Sequence, residues 1–170
     1  MSDVRAATPA DLDAIVAVHR AAFCRDAEAE LVKRLVGAGR DTISLVAVDD
    51  EDAVIGHVLF SPVTVEKGDD GKALGLAPIA VLPDHQRQGI GRALIEEGIG
   101  ACFVRDARAI FVLGSPAYYA TFGFSKASAH NLRDAYEGGS AFQVLALTVD
   151  GIANYSGRVN YAPEFAEGAL

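Results

Sequence analysis

Residues 77–94 read APIAVLPDHQRQGIGRAL. A short apolar run ends at Pro83, a polar turn follows, and a helical pattern crosses Gly89 and Gly91. A strand that passes through such a turn into a helix directs backbone N–H groups and the positive end of the helix dipole to one place. Glycine has no Cβ, so an anion can approach the main chain closely at both positions. The stretch therefore predicts a phosphate- or pyrophosphate-binding turn.

The spacing of these glycines excludes two common phosphate-binding motifs. A dinucleotide-binding turn requires a small residue at its third conserved position, where this chain has Leu94. A P-loop requires Gly-Lys followed by Ser or Thr, and the turn has none. The pattern that remains is Gln86-x-x-Gly89-x-Gly91, which is also compatible with an ordinary glycine-bearing helix start.

A second motif lies downstream, where residues 113–124 read LGSPAYYATFGF. It follows the first by about one helix and one strand, as a βαβ unit requires. Together the two motifs resemble the Q/R-x-x-G-x-G/A and F/Y-Y-x-x-x-G-F signatures of the GCN5-related N-acetyltransferase (GNAT) superfamily. The P-x-Y-Y-x-x-F-G-F form is similar to that of one bacterial branch, and the resemblance extends over nearly the whole chain.

The fold class follows from the order of the elements. At 170 residues the chain predicts a single domain, residues 1–170. Strand patterns precede, separate and follow helix patterns, which predicts an α/β (α+β) fold with a mixed sheet and helices on both faces. The resemblance implies a mostly antiparallel, twisted sheet with a central splay between two parallel strands. Pro78 fits a splay, because proline is not tolerated in a strand that is paired on both sides.

Several local features add expectations that a structure can test. Thr8, Pro9 and Asp11 predict the start of the first helix. Gly98 and Gly100 each cost the helix after the turn roughly 1 kcal/mol relative to alanine, so we expect close packing at both. Residues 125–140 are polar and predicted to be rich in loops, and residues 156–161 are predicted to form a short edge strand.

The resemblance implies acetyl-CoA as the cosubstrate and no metal. The pantetheine arm would lie in the splay and bond the main chain of the central strand at Ile79, Ala80 and Val81. The pyrophosphate would be held by the turn and the first residues of the helix, which are Gln86, Arg87, Gln88, Gly89, Ile90, Gly91 and Arg92. Arginine at an exposed helix start is equally a solvent-facing residue.

The reaction implied is direct attack of an amine on the thioester in a ternary complex. The backbone N–H near Val81 would stabilise the tetrahedral oxyanion. Tyr119 occupies the position of the family's general acid, and a phenol there could protonate the departing thiolate. Of the two adjacent tyrosines, Tyr118 is expected to be the one packed between helix and sheet.

The general base is left open. Members of the family commonly use a carboxylate on the central strand or a neighbouring one, but residues 73–81 contain no Asp or Glu. His57, His85 and Glu28 are candidates, although each also fits a structural role. A chain of water molecules, or a substrate that is already deprotonated, would remove the need for such a residue. The missing carboxylate keeps an alternative open, namely a catalytically weak acyl-CoA-binding sensor or interaction module. A serine hydrolase at Ser115 is excluded, because a nucleophile elbow requires glycine two residues later.

The composition of the chain limits which classes of partner and which cellular location we expect. The chain carries a net charge of −8, which argues against a nucleic-acid partner. No stretch reaches the roughly 18 apolar residues of a membrane span, and no secretory signal is visible, so we expect no membrane partner and a cytoplasmic location. Two cysteines without a C-x-x-C pattern fit a reducing compartment. The expected acceptor is a small-molecule amine or an amino-terminal group, and a homodimer is one possible assembly.

Overall fold

A computed structural model describes residues 3–166. Its helices are α1 (Leu12–Phe23), α2 (Ala27–Gly37), α3 (Ile90–Val104) and α4 (Pro116–Ala120). Its strands are β1 (Asp3–Ala6), β2 (Ile43–Val48), β3 (Val54–Pro62), β4 (Thr64–Lys67), β5 (Ala73–Val81), β6 (Ala109–Leu113), β7 (Ser125–Lys126), β8 (Leu132–Asp134), β9 (Phe142–Ala146) and β10 (Ser156–Asn160). None of the helices in residues 3–166 combines the length and apolar content that a membrane span requires.

The strands form two sheets. One has the order β1-β2-β3-β5-β6-β9-β7 and the other the order β4-β10-β8. Pairing is antiparallel for β1–β2, β2–β3, β6–β9, β7–β9 and β4–β10, and parallel for β5–β6 and β8–β10. The predicted fold class, a mixed and mostly antiparallel sheet with helices, is confirmed. The last strand differs from expectation, because β10 is the middle strand of the smaller sheet and not an edge.

The parallel pair β5–β6 is short. Its register runs from Ala73 opposite Ala109 to Gly75 opposite Phe111, whereas β5 continues to Val81 and β6 to Leu113. Among the described residues, the β5–β6 pairing therefore ends at Gly75, six residues before the end of β5 at Val81 (81 − 75 = 6). This is the arrangement that the expected splay requires.

The chain divides into two compact units. Unit 1 comprises the residues up to Phe60, Ala77–Gly100 and the residues from Pro163, and unit 2 comprises Ser61–Leu76 and Ala101–Ala162. The core of unit 2 is a cluster of buried side chains that includes Phe111, Phe142, Val144 and Val159. The prediction that residues 1–170 form one functional domain stays a prediction, and residues 1–2 and 167–170 lie outside the described part.

The first helix begins as the sequence predicts. Thr8 caps a short 3-10 turn over Pro9–Asp11 that leads into α1, and the Thr8 N–H donates to a carboxylate oxygen of Asp11 at 2.7 Å. The same carboxylate accepts a hydrogen bond from Arg5 at 2.8 Å. This reciprocal capping satisfies backbone groups that the helix start would otherwise leave unpaired.

Two glycines of α3 differ in their surroundings. A Cβ at Gly98 would lie 2.3 Å from Cε1 of Phe60, so the helix can approach that ring only without a side chain. A Cβ at Gly100 would meet no heavy atom of the described residues within 4 Å. Close packing explains Gly98 as expected, but the same expectation for Gly100 is wrong.

Candidate active site

The turn that follows β5 lies in unit 1 and has an unusual backbone. A 3-10 turn spans Pro83–His85, Gln86 is extended, and Arg87 and Gly89 have φ values of 62° and 83°. A left-handed conformation is accessible to glycine at little cost but is uncommon for arginine. Left-handed residues placed near a helix start turn successive N–H groups toward one side and form a concave anion site.

Side chains of the turn fasten it to the end of β5. The Gln86 side-chain amide donates a hydrogen bond to the carbonyl oxygen of Val81 at 3.0 Å, and Gln88 donates to the carbonyl oxygen of Asp84 at 3.3 Å. The Leu82 N–H donates to the carbonyl oxygen of Ile55 on β3 at 2.9 Å. The amides of Gln86 and Gln88 thus stabilise the turn itself, a role that the motif does not reveal.

Helix α3 begins immediately after this turn. The Gly89 carbonyl accepts the first helical hydrogen bond, from the Ala93 N–H at 3.0 Å. N–H groups of the first helical turn have no acceptor within the helix, and the helix dipole adds positive potential there. A Cβ at Gly89 would meet no heavy atom of the described residues within 4 Å, so the space before the helix is open. The arrangement can hold a phosphate or pyrophosphate.

The two arginines of the motif differ. Arg87 is exposed within the turn. The Arg92 guanidinium forms an ion pair with Glu96, one helical turn later, at 3.3 Å. That pair lies on an exposed helix surface, where such contacts are weak. Both side chains place positive charge close to the start of α3.

The end of β5 shows the alternation of a strand. Ala80 is buried, whereas Ile79 and Val81 are half-buried. A Cβ at Gly56 on β3 would lie 3.3 Å from the carbonyl oxygen of Ala80, so this glycine permits a close approach of the two strands. The roles of Ile79, Ala80 and Val81 toward a ligand stay predictions.

The second motif lies in unit 2. Ser115 caps α4 by accepting a hydrogen bond from the Tyr118 N–H at 3.4 Å. Tyr119 is 7% exposed, whereas Tyr118 is 39% exposed. The expectation that Tyr118 is the packed ring is therefore wrong. A Cβ at Gly114 would lie 2.5 Å from Cε2 of Tyr119, so the absence of a side chain there makes room for that ring.

The environment of Tyr119 keeps its phenol protonated. Burial, and then the neighbouring Tyr118, raise the pKa of Tyr119 to about 12. The phenol therefore keeps its proton throughout the neutral range. A general acid must carry its proton when the leaving group departs.

The candidate bases have structural partners. His57 is fully buried, and its two ring nitrogens lie 2.8 Å from His19 Nε2 and 2.8 Å from Ser44 Oγ. Burial, and then the charge that His19 would carry, hold the pKa of His57 well below its usual range. Glu28 is buried and not solvated, and its hydrogen bond with Arg25 lowers its pKa. His85 is half-buried at the end of its 3-10 turn.

The described residues were also searched for groups of side chains that could bind a metal ion. Residues 3–166 contain no group of three or more His, Cys, Asp and Glu side chains placed to hold a metal ion. Both cysteines are free thiols; Cys102 is buried and Cys24 is exposed.

Residues 13–124 match the profile of the Acetyltransferase (GNAT) family. The chain is 42% identical, over 95% of its length and 97% of the relative, to the uncharacterized N-acetyltransferase YhbS of Escherichia coli (strain K12).

Two solved structures are similar throughout. The 1.55 Å crystal structure of the E. coli GNAT family N-acetyltransferase YhbS in complex with CoA superposes with a TM-score of 0.94 at 41% identity, covering 99% of this chain and 94% of that one. A GNAT family acetyltransferase from Brucella melitensis in complex with acetyl-CoA gives a TM-score of 0.81 at 36% identity, covering 97% and 98%.

Proposed function

The chain belongs to the acetyltransferase (GNAT) family, and from this premise we propose that it transfers an acetyl group from acetyl-CoA to an amine by direct attack in a ternary complex. The observation that carries the proposal is the turn from Gln86 to Arg92. It presents open helix-start N–H groups in a chain whose similar structures hold CoA and acetyl-CoA.

The turn would bind the pyrophosphate through its main chain. The N–H groups of Gly89, Ile90 and Gly91 are directed by the left-handed turn and the helix start, and Arg87 and Arg92 add positive charge. Gln86 and Gln88 would act mainly by holding the turn in shape. The main chain of residues 79–81 would bond the pantetheine arm, which the short β5–β6 ladder supports.

The chemistry would then proceed through a tetrahedral intermediate. The amine nitrogen attacks the thioester carbonyl carbon, and the Val81 N–H stabilises the oxyanion. The carbon–sulfur bond breaks as the carbonyl re-forms, and the thiolate takes the proton of Tyr119. The nitrogen gives up a proton to solvent, and the Tyr119 phenolate regains one from solvent. The phenol is protonated throughout the neutral range, as an acid must be, although burial makes it a weaker acid than an exposed tyrosine.

A second candidate function is a catalytically weak acyl-CoA-binding sensor or interaction module. The observation that favours it is the lack of any Asp or Glu on β5, where family members commonly carry a base. Retention of Tyr119 favours the enzyme. Turnover of the thioester with an amine distinguishes the two functions.

The remaining parts of the proposal concern context. We infer that residues 1–170 act as one acetyltransferase domain, which the match over 97% of the YhbS chain supports. The acceptor would be a small-molecule amine or an amino-terminal group. The same proposal includes a homodimer, a cytoplasmic location and no membrane partner. It also includes no nucleic-acid partner, which the net charge of −8 supports.

The experiment that tests the cosubstrate is a thermal unfolding titration. At acetyl-CoA concentrations about 100 times Kd, the ligand should add ~2.7 kcal/mol of stability, which corresponds to a Tm increase of roughly 5–10 °C. NADH should produce no shift. The Gly89→Asp, Gly91→Asp double variant places carboxylates against the pyrophosphate and should lose the shift. Normal CoA binding by that folded variant would overturn the assignment of the turn.

A further inference from the structure

Gly114 follows β6 directly, and both of its backbone polar groups are bonded to the segment around the start of β9. The Gly114 N–H donates a hydrogen bond to the carbonyl oxygen of Ala141 at 3.0 Å. The Gly114 carbonyl oxygen accepts a hydrogen bond from the side-chain amide of Gln143 at 3.3 Å. All three residues belong to unit 2. We call them the Gly114 junction.

The Gly114 junction is in contact with the proposed proton donor. A Cβ at Gly114 would lie 2.5 Å from Cε2 and 3.1 Å from Cδ2 of Tyr119, so the ring packs directly against the main chain of Gly114. Aromatic neighbours of Tyr119 include Tyr118, Phe122 and Phe124, with ring centroids 5.2, 6.2 and 5.6 Å away. Those rings belong to α4 and the residues just after it, whereas the contact with Gly114 fixes the Tyr119 ring relative to β6.

Gln143 is a buried polar residue on a strand that is paired on both sides. It lies on β9 opposite Val112 of β6, and it is 1% exposed. Its amide also donates a hydrogen bond to the carbonyl oxygen of Ala141 at 3.4 Å. Burying an amide costs free energy that an apolar side chain of similar length would avoid. The stability of the sheet therefore does not explain a glutamine at this position, whereas its two hydrogen bonds at the Gly114 junction do.

A second buried polar residue supports the Gly114 junction from the loop after β8. Asp134 is 5% exposed, and its carboxylate accepts hydrogen bonds from the Gly138 N–H at 2.7 Å and the Tyr136 N–H at 3.1 Å. A Cβ at Gly138 would lie 2.3 Å from Cδ2 of Leu113, so the closed loop packs on the last residue of β6. The Ala141 N–H donates to the carbonyl oxygen of Gly138 at 3.1 Å, which connects this loop to the junction.

We propose that Gln143 is a positioning residue for proton transfer, because its amide holds Gly114 in place and Gly114 supports the ring of Tyr119. The inference rests on the proposed function, in which Tyr119 protonates the departing thiolate. A proton donor must lie within hydrogen-bond reach of its acceptor, so a displacement of about 1 Å can lower the rate by ~10²-fold. Asp134 stabilises the same arrangement from the loop side.

The test is a double-mutant cycle between Gln143 and Tyr119. Gln143→Met keeps the length of the side chain and removes its donor. With saturating acetyl-CoA and the best acceptor of a panel of primary amines, Gln143→Met should lower kcat by roughly 10-fold or more. In the Tyr119→Phe background it should lower kcat by less than about 3-fold, because the hydroxyl whose position depends on Gly114 is already absent. A purely structural effect would lower kcat equally in both backgrounds.

Ser61→Ala is the matched control. Ser61 is a fully buried polar residue of β3 in unit 2, and its hydroxyl has no hydrogen-bond partner among residues 3–166. Because Ser61 is not part of the Gly114 junction, its substitution should change kcat by less than about 3-fold in both backgrounds. A decrease as large as that of Gln143→Met would show that the rate responds to any buried polar substitution, and it would overturn the inference.

A structural measurement tests the same inference without turnover. In protein with isotope-labelled tyrosine and glycine, a nuclear Overhauser effect should connect the Tyr119 ring with the α-protons of Gly114. The effect should persist in Ser61→Ala and lose most of its intensity in Gln143→Met, because the ring is then no longer held against Gly114.

A second variant covers the case in which Gln143→Met does not fold. Asp134→Asn weakens the junction from the loop side, so it should lower kcat and reduce the same Overhauser effect. Asp49→Asn is its control and should do neither. The Asp49 carboxylate accepts hydrogen bonds from the N–H groups of the residues two and four positions later, at 2.9 and 3.0 Å, which is also the pattern of Asp134.

Each outcome decides the inference. Equal decreases of kcat in the two backgrounds, no Overhauser effect between Tyr119 and Gly114 in the wild type, or an unchanged effect in the folded variant would overturn it. Loss of the effect in Gln143→Met, in a chain that acetylates no amine, would contradict the proposed function and leave the positioning of the ring by Gln143 standing.

Discussion

The side-chain amide of Gln86 donates a hydrogen bond to the carbonyl oxygen of Val81 at 3.0 Å. The bond joins the end of β5 to the turn that precedes α3. We therefore expect Gln86 to act on a bound pyrophosphate through the backbone that it positions.

The first prediction concerns this bond. Gln86→Ala removes a hydrogen bond worth about 1 kcal/mol and should weaken CoA binding about 5-fold. Gln86→Glu should weaken it more, because a carboxylate repels both the Val81 carbonyl and the pyrophosphate. Calorimetric titration with CoA measures both. Wild-type affinity in Gln86→Glu would show that the bond does not shape the site.

The second prediction separates two glycines of one helix. Gly100→Ala should raise the free energy of unfolding by about 0.5–1 kcal/mol, because alanine favours the helix and the space is open. Gly98→Ala should lower it by roughly 1–3 kcal/mol, because the new Cβ would overlap the ring of Phe60. Urea denaturation of the two variants measures the difference. Changes of the same sign would contradict the packing.

The third prediction concerns the buried pair His19 and His57. Burial, opposed by Glu28, lowers the pKa of His19 to about 4 in the folded chain, whereas unfolded histidine titrates near ~6.5. Between these values the unfolded chain binds more protons, so stability is full above pH ~6.5 and falls as the pH decreases toward ~4. His19 alone should cost about 2 kcal/mol between pH 7.5 and 5.0.

Denaturant unfolding at pH 7.5, 6.0 and 5.0 measures this loss. His19→Leu should reduce the pH dependence, while the buried His57 keeps part of it. His130→Gln is the control and should keep the wild-type slope, because His130 is exposed and its side chain bonds Ser125 at 3.1 Å. A wild-type slope in His19→Leu, or a reduced slope in His130→Gln, would refute the assignment.

The fourth prediction distinguishes the adjacent tyrosines. Tyr119→Phe should keep the ring packed beside Gly114 and lower kcat by ~10²-fold or more, because only the hydroxyl is lost. Tyr118→Phe, at an exposed position, should lower kcat less than 3-fold. CoA affinity should stay within 3-fold of wild type in both. Equal rates at saturating substrate, with chemistry limiting, would refute the role of Tyr119.

Features with a local signal were predicted correctly from the sequence. The capping box of Thr8 and Asp11 depends on residues three positions apart. The turn between β5 and α3 is also local, because a strand, two glycines and a helix start follow one another along the chain, and its binding of a phosphate stays a prediction. In each case adjacent residues determine the conformation.

Features that depend on distant pairing were missed. Asp134 lies in the polar stretch that was predicted to be rich in loops. Its burial arises from the pairing of β8 with β10, in which Asp134 lies opposite Val159, 25 residues later in the sequence (159 − 134 = 25). No sequence pattern within either segment predicts the pairing of β8 with β10. The choice between Tyr118 and Tyr119 as the packed ring likewise depends on Gly114 and the end of β6, not on helical periodicity.

The most direct measurement is a coupled assay in which released thiol and acetylated product are counted in the same reaction with acetyl-CoA and a panel of primary amines. Direct attack in a ternary complex predicts one N-acetylated amine for each CoA released, and no acetyl group on the protein when it is examined by mass spectrometry. Tight CoA binding with no amine-dependent thiol release would contradict the acetyltransferase and favour the sensor.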